Sequence, residues 1–203
     1  MATDTDTPRR RSIRLHGYDY AQAGAYFVTV CTQARACLFG EVVDGEMGLN
    51  YAGRIVQSTW NELPDHYCGV DLDAFVVMPN HVHGIILLTD DATSPQPHPL
   101  AEIASEPVGA GFKPARPDAA TPSRRHPLPE IIRGFKTFSS KHINESRGTP
   151  GVPTWQRSYY EHVIRNAESL DGIRQYIAEN PARWAFDREN PAVQKATAGP
   201  RKT

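Results

Sequence analysis

The stretch Met78-Pro79-Asn80-His81-Val82-His83-Gly84-Ile85-Ile86-Leu87-Leu88 constrains the fold of this chain more than any other. From His81 onward it is apolar apart from two histidines, and Pro79-Asn80 before it is a tight-turn pair. In a strand, residues i and i+2 face the same side. His81 and His83 therefore project together from one face of a buried strand, and Val82 from the other. Two convergent imidazoles on a rigid element can hold a divalent cation. They can equally be a structural pair, and their spacing alone does not separate the two readings.

The surrounding pattern supplies partners for that strand. Ala25–Thr32 is β-branched and aromatic and reads as a strand. Cys37–Val43 and Glu46–Leu49 flank Asp44-Gly45, a hairpin turn signal. Asn50 is placed to cap a helix running to about Leu63, with Ile55, Val56, Thr59, Trp60 and Leu63 on one face and Pro64 ending it. Val70–Met78 reads as a strand, paired through Pro79-Asn80 with His81–Thr89. After a Pro-rich stretch at about 90–127, helical spacing resumes from Leu128 with Ile131, Ile132, Phe135, Phe138 and His142 in one stripe. Tyr159–Ile164 is a further strand. Ala167–Glu179 is a helix with Leu170, Ile173, Tyr176 and Ile177 on one side, and Pro181 breaks it before a short helix through Trp184.

Setting the hairpin aside leaves β-α-β-β-α-β with an added C-terminal helix. The fold class expected is α+β: a ferredoxin-like (split βαβ) antiparallel sheet with helices packed on it. A single domain over 14–190 is expected, with a basic flexible N-terminus at 1–13, a disordered insertion at about 90–127 and a flexible tail at 191–203.

Bulk properties exclude several classes. No apolar run reaches the roughly 18–20 residues of a membrane span, so no membrane partner is expected. No apolar segment follows the basic N-terminus, so no secretory signal is expected. Cys31, Cys37 and Cys68 are odd in number and form no CxxC, which argues against a disulfide framework or a zinc knuckle and for a reducing cytoplasm. The formal net charge of -1 gives no global argument for nucleic acid. Its distribution does: Arg124, Arg125, Arg133, Lys136, Lys141 and Arg147 lie close together against only Glu130 and Glu145, and Arg9, Arg10, Arg11 and Arg14 form a second cluster. Such a flank binds a phosphate backbone or is simply a solvated face.

On the C-terminal helix, Tyr176 and Asn180 are one turn apart and share a face. A phenol can be a nucleophile, and a carboxamide oxygen can be a hard ligand. By periodicity alone, Tyr176 as a core aromatic and Asn180 as a C-cap serve as well.

Three motifs in register carry a resemblance. Asn80-His81-Val82-His83, Trp155-Gln156-Arg157-Ser158-Tyr159-Tyr160-Glu161-His162 and Tyr176-Ile177-Ala178-Glu179-Asn180-Pro181 together resemble the single-tyrosine HUH (IS200-like) transposases, specifically the REP-associated tyrosine transposase branch. Arg14–Tyr20, Gly24–Val30 and Ile131–Lys136 resemble it too, so the likeness spans about 12–190 without the Pro-rich insertion. The resemblance implies His81 and His83 as metal ligands and Tyr176 as nucleophile. It implies Asn180 as a further ligand, where better-known relatives carry the longer Gln. Tyr159 and Tyr160 compete for the nucleophile's role.

The implied activity is metal-dependent cleavage and strand transfer of single-stranded DNA through a 5′-phosphotyrosine, with Mg²⁺ or Mn²⁺, on hairpins of repetitive extragenic DNA. The protein is then a cytoplasmic monomer or homodimer. Arg133, Lys136, Lys141 and Arg157 are the expected DNA contacts, and Arg9–Arg11 a possible arm. Two other classes fit the residues: a catalytically inactive nucleic-acid-binding domain of ferredoxin-like fold, and a metal hydrolase using the two histidines.

Overall fold

A computed structural model of the chain describes residues 18–89 and 126–193. The expected basic N-terminus at 1–13, nearly all of the Pro-rich insertion and most of the C-terminal tail lie outside the described residues. Four strands form one sheet in the order β4-β5-β1-β6, with β1 at Gly24–Cys31, β4 at Val70–Met78, β5 at His81–Leu88 and β6 at Tyr160–Ile164. Every neighbouring pair in it is antiparallel. β2 (Gly40–Val43) and β3 (Glu46–Leu49) make a separate hairpin. Asp44 and Gly45 turn it with φ of 52° and 81°, the left-handed pair that a two-residue hairpin loop needs. The helices are α1 (Tyr51–Asn61), α2 (Leu63–His66), α3 (Leu128–Arg147) and α4 (Ala167–Glu179). This is the split βαβ order with an added hairpin and a C-terminal helix, as the pattern predicted.

Alternation divides the sheet into two faces. Tyr26, Val28 and Val30 of β1 and Val82, Ile86 and Leu88 of β5 point to one side, where they meet Val56 and Trp60 of α1 and Ile131, Ile132 and Phe135 of α3. Phe27 and Ile85 point to the other side, where they meet Ile164 and Ile177 of α4. The first face holds the main core. The second holds a smaller one, and it leaves room at the β1–β5 end for polar groups.

Gly84 makes the main core possible at its tightest point. A Cβ there would lie 2.7 Å from Trp60 Cη2 and 2.9 Å from Phe75 Cδ2. Trp60 is fully buried and stacked on Phe75 with ring centroids 4.4 Å apart, so the Trp60 ring has no space to yield. The glycine after the histidine pair thus serves packing on the face opposite the histidines.

Four details depart from the pattern. Pro64 does not end the helix before it. α1 stops at Asn61, and Pro64 stands in the first turn of α2, where its missing N–H costs nothing. The first hairpin strand begins at Gly40 rather than Cys37. In α3 the buried stripe runs through Phe135, Ser139 and Ile143, while His142 is exposed and Phe138 only half-buried. Ser139 can be buried because its hydroxyl donates to Phe135 O at 2.6 Å and accepts from Trp155 Nε1 at 2.9 Å. Finally, the short helix after Pro181 is a 3₁₀ turn at Trp184–Phe186.

α4 is fixed to the sheet edge by charge as well as by Ile177. Arg174 grips Asp73 of β4 with two bonds, Nε–Oδ1 at 2.9 Å and Nη2–Oδ2 at 2.6 Å. The guanidinium holds the Asp73 carboxyl below its ordinary range. A carboxyl lowered in the folded state contributes stability above its unfolded pKa, and loses it as pH falls through the folded value. Amide exchange in α4 is therefore expected to quicken selectively below about pH 4, and Asp73→Asn to quicken it at neutral pH. Gly84→Ala is expected to destabilise the fold by about 1–3 kcal/mol through overpacking, read as a lower denaturation midpoint.

Candidate active site

The site lies at the C-terminal end of β1 and the N-terminal end of β5. The strand register pairs Thr29 with His83 and Cys31 with His81, so all four side chains share the face that α4 covers. His81 and His83 are buried, and their Nε2 atoms approach to 3.0 Å. Two imidazole donors about 2.1 Å from one cation and at right angles around it would show roughly this separation.

The outer ring nitrogens decide what the inner ones can do. Asn80 is buried at 1 % exposure, and its Nδ2 donates to Arg35 O at 3.1 Å and Glu189 O at 2.7 Å. Two carbonyls thus fix the orientation of the amide, and Oδ1 is left facing His81 Nδ1 at 2.9 Å. An amide oxygen only accepts, so His81 Nδ1 carries the proton and its Nε2 presents a lone pair inward. His83 Nδ1 lies 2.8 Å from Thr29 Oγ1. A hydroxyl donates or accepts, so Thr29 can serve either tautomer of His83, whereas the oxygen of Asn80 serves only one of His81.

Burial pushes the His81 imidazole down to about 4, against an upward pull from Asp187 and Asn180. Burial and the neighbouring His81 hold His83 well below its ordinary value. Both rings are therefore neutral at pH 7, the form that ligates metals.

Asp187 completes a group with them. Its Oδ2 is 4.0 Å from His81 Nε2, and ligand atoms of His81, His83 and Asp187 all lie within 4.8 Å of one another. Asn180 is buried at 2 % exposure, and its Oδ1 has no hydrogen-bond partner. An orphaned buried carbonyl oxygen beside two neutral imidazoles and a carboxylate is a donor set suited to a divalent cation. The group fits a metal that accepts mixed nitrogen and oxygen ligands.

Tyr176 is not a core residue of α4. It is 41 % exposed, and its hydroxyl lies 3.2 Å from His83 Nε2 in the same chain. Phe27 backs the pair, stacked on His83 at 5.4 Å between centroids and edge-on to Tyr176 at 6.1 Å. Burial and the carboxylate of Asp187 raise the phenol, while Asn180 and Arg188 oppose them, so it stays protonated at neutral pH. Tyr160, across from Thr29 on β6, shares this face and meets Phe27 edge-on at 6.3 Å. Tyr159 instead lines a cleft beside α3.

The basic residues fall into place in part. Arg133, Lys136, Arg157 and Tyr159 line one cleft of about 680 Å³ between α3 and the 151–157 segment, and no acid lines it among the described residues. Lys136 Nζ donates to Arg157 O at 3.0 Å, and burial lowers its ammonium to about 8. Lys141 is exposed and does not line that cleft.

Asp187 was not legible in the sequence, nor was the anchoring of its neighbour Glu189. Glu189 pairs with Arg35, and its backbone carbonyl meets Asn80. Both acids follow the last helix in a stretch with no motif, and only the return of the chain brings them to β5. The three cysteines are free thiols. No helix among the described residues is long and apolar enough to cross a membrane.

No family model matches the chain. It is 35% identical over 179 residues to an uncharacterized protein of Haemophilus influenzae, an alignment covering 88% of this chain and 92% of that protein. It is also similar to a solved structure of a REP-associated tyrosine transposase bound to a REP hairpin, at 19% identity and a TM-score of 0.46, over 88% of this chain and 76% of that one.

The lock on His81 is open to direct measurement. Nitrogen-15 shifts of the imidazole are expected to report the Nδ1–H tautomer in the native protein. In Asn80→Ala they are expected to move toward Nε2–H, and affinity for Mn²⁺ to fall about 10–100-fold. Unchanged shifts would contradict the lock.

Proposed function

This chain belongs to the same family as the Haemophilus influenzae protein, and we propose that it cleaves and rejoins single-stranded DNA through a phosphotyrosine at Tyr176. The observation that carries the reading is the hydroxyl of Tyr176 at 3.2 Å from His83 Nε2, in a site whose two inner imidazole nitrogens face each other at 3.0 Å. A half-exposed phenol aimed at a buried, neutral histidine pair is better suited to attack on a bound phosphate than to packing. The sequence resemblance to REP-associated tyrosine transposases supports the same reading.

His81, His83 and Asp187 would hold a divalent cation, Mg²⁺ or Mn²⁺, and the unpartnered Oδ1 of Asn180 would be a further ligand. When bound, such a cation supplies Lewis-acid polarisation of a nonbridging phosphate oxygen. The residues of the chain do the rest. Asn80 keeps the His81 lone pair directed inward. Thr29 lets His83 present its own lone pair by rotating one hydroxyl. Phe27 supports the His83 ring by stacking and the Tyr176 ring edge-on.

Tyr176 Oη forms a bond to phosphorus as the bond from phosphorus to the 3′ oxygen breaks. The phenol gives up one proton and the 3′ oxygen takes one up, leaving a 5′-phosphotyrosine and a free 3′-OH. Phosphodiester energy is kept in the new ester, so a second 3′-OH can reverse the step and join another strand. Tyr176 lies within reach of His83 of its own chain, which supports a site built within one chain.

The substrate we propose is a hairpin-containing single strand. Arg133, Lys136 and Arg157 line a cleft with no acid among the described residues, which favours a phosphate backbone. Lys141 adds charge outside it.

Covalent capture tests the proposal. Labelled oligonucleotides from hairpins flanking the gene are mixed with the protein and Mn²⁺ or Mg²⁺, and a denaturant-resistant protein–DNA band is sought. The expected band is present in the wild type and absent in Tyr176→Phe and His83→Ala. A band that survives Tyr176→Phe would transfer the role to another tyrosine, Tyr160 first. Tight hairpin binding with no band would leave a nucleic-acid-binding module instead.

A further inference from the structure

Phe186 is 85 % exposed, and no large apolar side chain among the described residues is more so. Exposure of this size usually belongs to a loose end, but the backbone here is held. Phe186 N bonds to Arg183 O at 2.9 Å, and Asp187 N to Trp184 O at 3.1 Å. Asn190 Nδ2 ties back to Trp184 O at 2.9 Å, and the Glu189 carbonyl is clamped by Asn80. Trp184, two residues earlier, turns inward toward His81 with ring centroids 6.0 Å apart. Phe186 is thus held outward by a short turn whose other aromatic faces the site.

It is held over a particular place. Tyr176, Asn180, Arg183, Phe186, Asp187 and Arg188 line one cleft of about 570 Å³. The cleft therefore begins at the proposed nucleophile and ends at an aromatic face, and its size lies in the range that takes small-molecule ligands. The acids around it are engaged: Glu179 with Arg183, Asp187 facing His81, and Glu189 with Arg35 and Arg188. The Arg183 and Arg188 side chains are 65% and 85% exposed, so both guanidinium groups stand at the rim.

We propose that this cleft seats the unpaired nucleotide adjoining the scissile phosphate, with its base stacked on Phe186 and its phosphates met by Arg183 and Arg188. The proposal rests on the reading of Tyr176 as nucleophile and names the subsite that reading lacks. A phosphate at the histidine pair has a nucleotide on each side, and one of the two must leave through the opening beside Tyr176. An aromatic face there captures any base, because stacking tolerates sequence and every base has a π-face. Arg183 and Arg188, paired at the rim with Glu179 and Glu189, would exchange those surface pairs for the phosphates of the strand. Phe186 accordingly acts on substrate binding rather than on the chemical step.

The test uses the full chain and a hairpin oligonucleotide with a single-stranded 5′ extension, carrying 2-aminopurine at successive positions near the cleavage site. In the wild type, fluorescence at one position next to the cleaved bond is expected to be quenched on binding. Phe186→Ala is expected to lose that quenching and to raise the KM for adduct formation about 5- to 150-fold, the equivalent of one lost stacking contact. Adduct yield at saturating DNA should be unchanged. Phe186→Trp is expected to keep both quenching and KM.

Truncating so exposed a side chain removes little packing, and melting curves of the two variants verify that the fold is intact. Unaltered quenching and KM in Phe186→Ala would overturn the subsite while the adduct of the wild type stood. Absence of any adduct in the wild type would remove the nucleophile reading, and quenching lost only in Phe186→Ala would still support stacking.

Discussion

The carboxamide of Asn80 is the contact on which the site depends. One buried amide joins three segments distant in sequence: the turn at Arg35, the C-terminal stretch at Glu189, and the first histidine of β5. Its two carbonyl partners leave it no choice of orientation, and that orientation leaves His81 no choice of tautomer. An aspartate here would lose both donors, and a leucine would leave the buried Glu189 carbonyl without its partner, a loss of about 1–3 kcal/mol. Position 80 thus couples the shape of the backbone to the direction of a lone pair.

The division of the sheet explains how such a polar cluster can be buried at all. One face carries nearly all of the apolar packing, with Trp60, Phe75, Tyr26 and Phe135 interlocked behind Gly84. The other face carries a small apolar patch under α4 and then gives way to Thr29, Cys31, His81 and His83. Burying two neutral imidazoles is tolerable when each outer nitrogen has a partner. The inner nitrogens meet each other and the Tyr176 hydroxyl, and of this cluster only the oxygen of Asn180 is left without a partner.

The organisation of the chain was largely legible because it rests on local rules. Apolar, β-branched and aromatic runs bounded by turn residues marked β1, β4 and β5 within a residue of their ends, Asp44-Gly45 marked the hairpin, and Asn50 marked the start of α1. The histidine pair was legible because alternation alone puts positions 81 and 83 on one face. Elsewhere tertiary partners decided what the local pattern left open or misdirected. Ser139 is polar and buried because Trp155 reaches it. Tyr176 lies in an apolar stripe, yet it turns out of the core because His83 is its neighbour. Asp187 has no motif around it and acquires its place only when the 3₁₀ turn returns the chain to the sheet.

The sequence by itself determined the elements, their order and the face shared by the two histidines, since each follows from side-chain period and turn chemistry over a few residues. Only the tertiary structure decided that Tyr176, Asn180 and Asp187 meet those histidines, which tautomer His81 holds, and that Phe186 stands exposed at the mouth. Those facts depend on how α4 and the turn after it dock across β1 and β5, a contact between residues some hundred positions apart that no local pattern encodes.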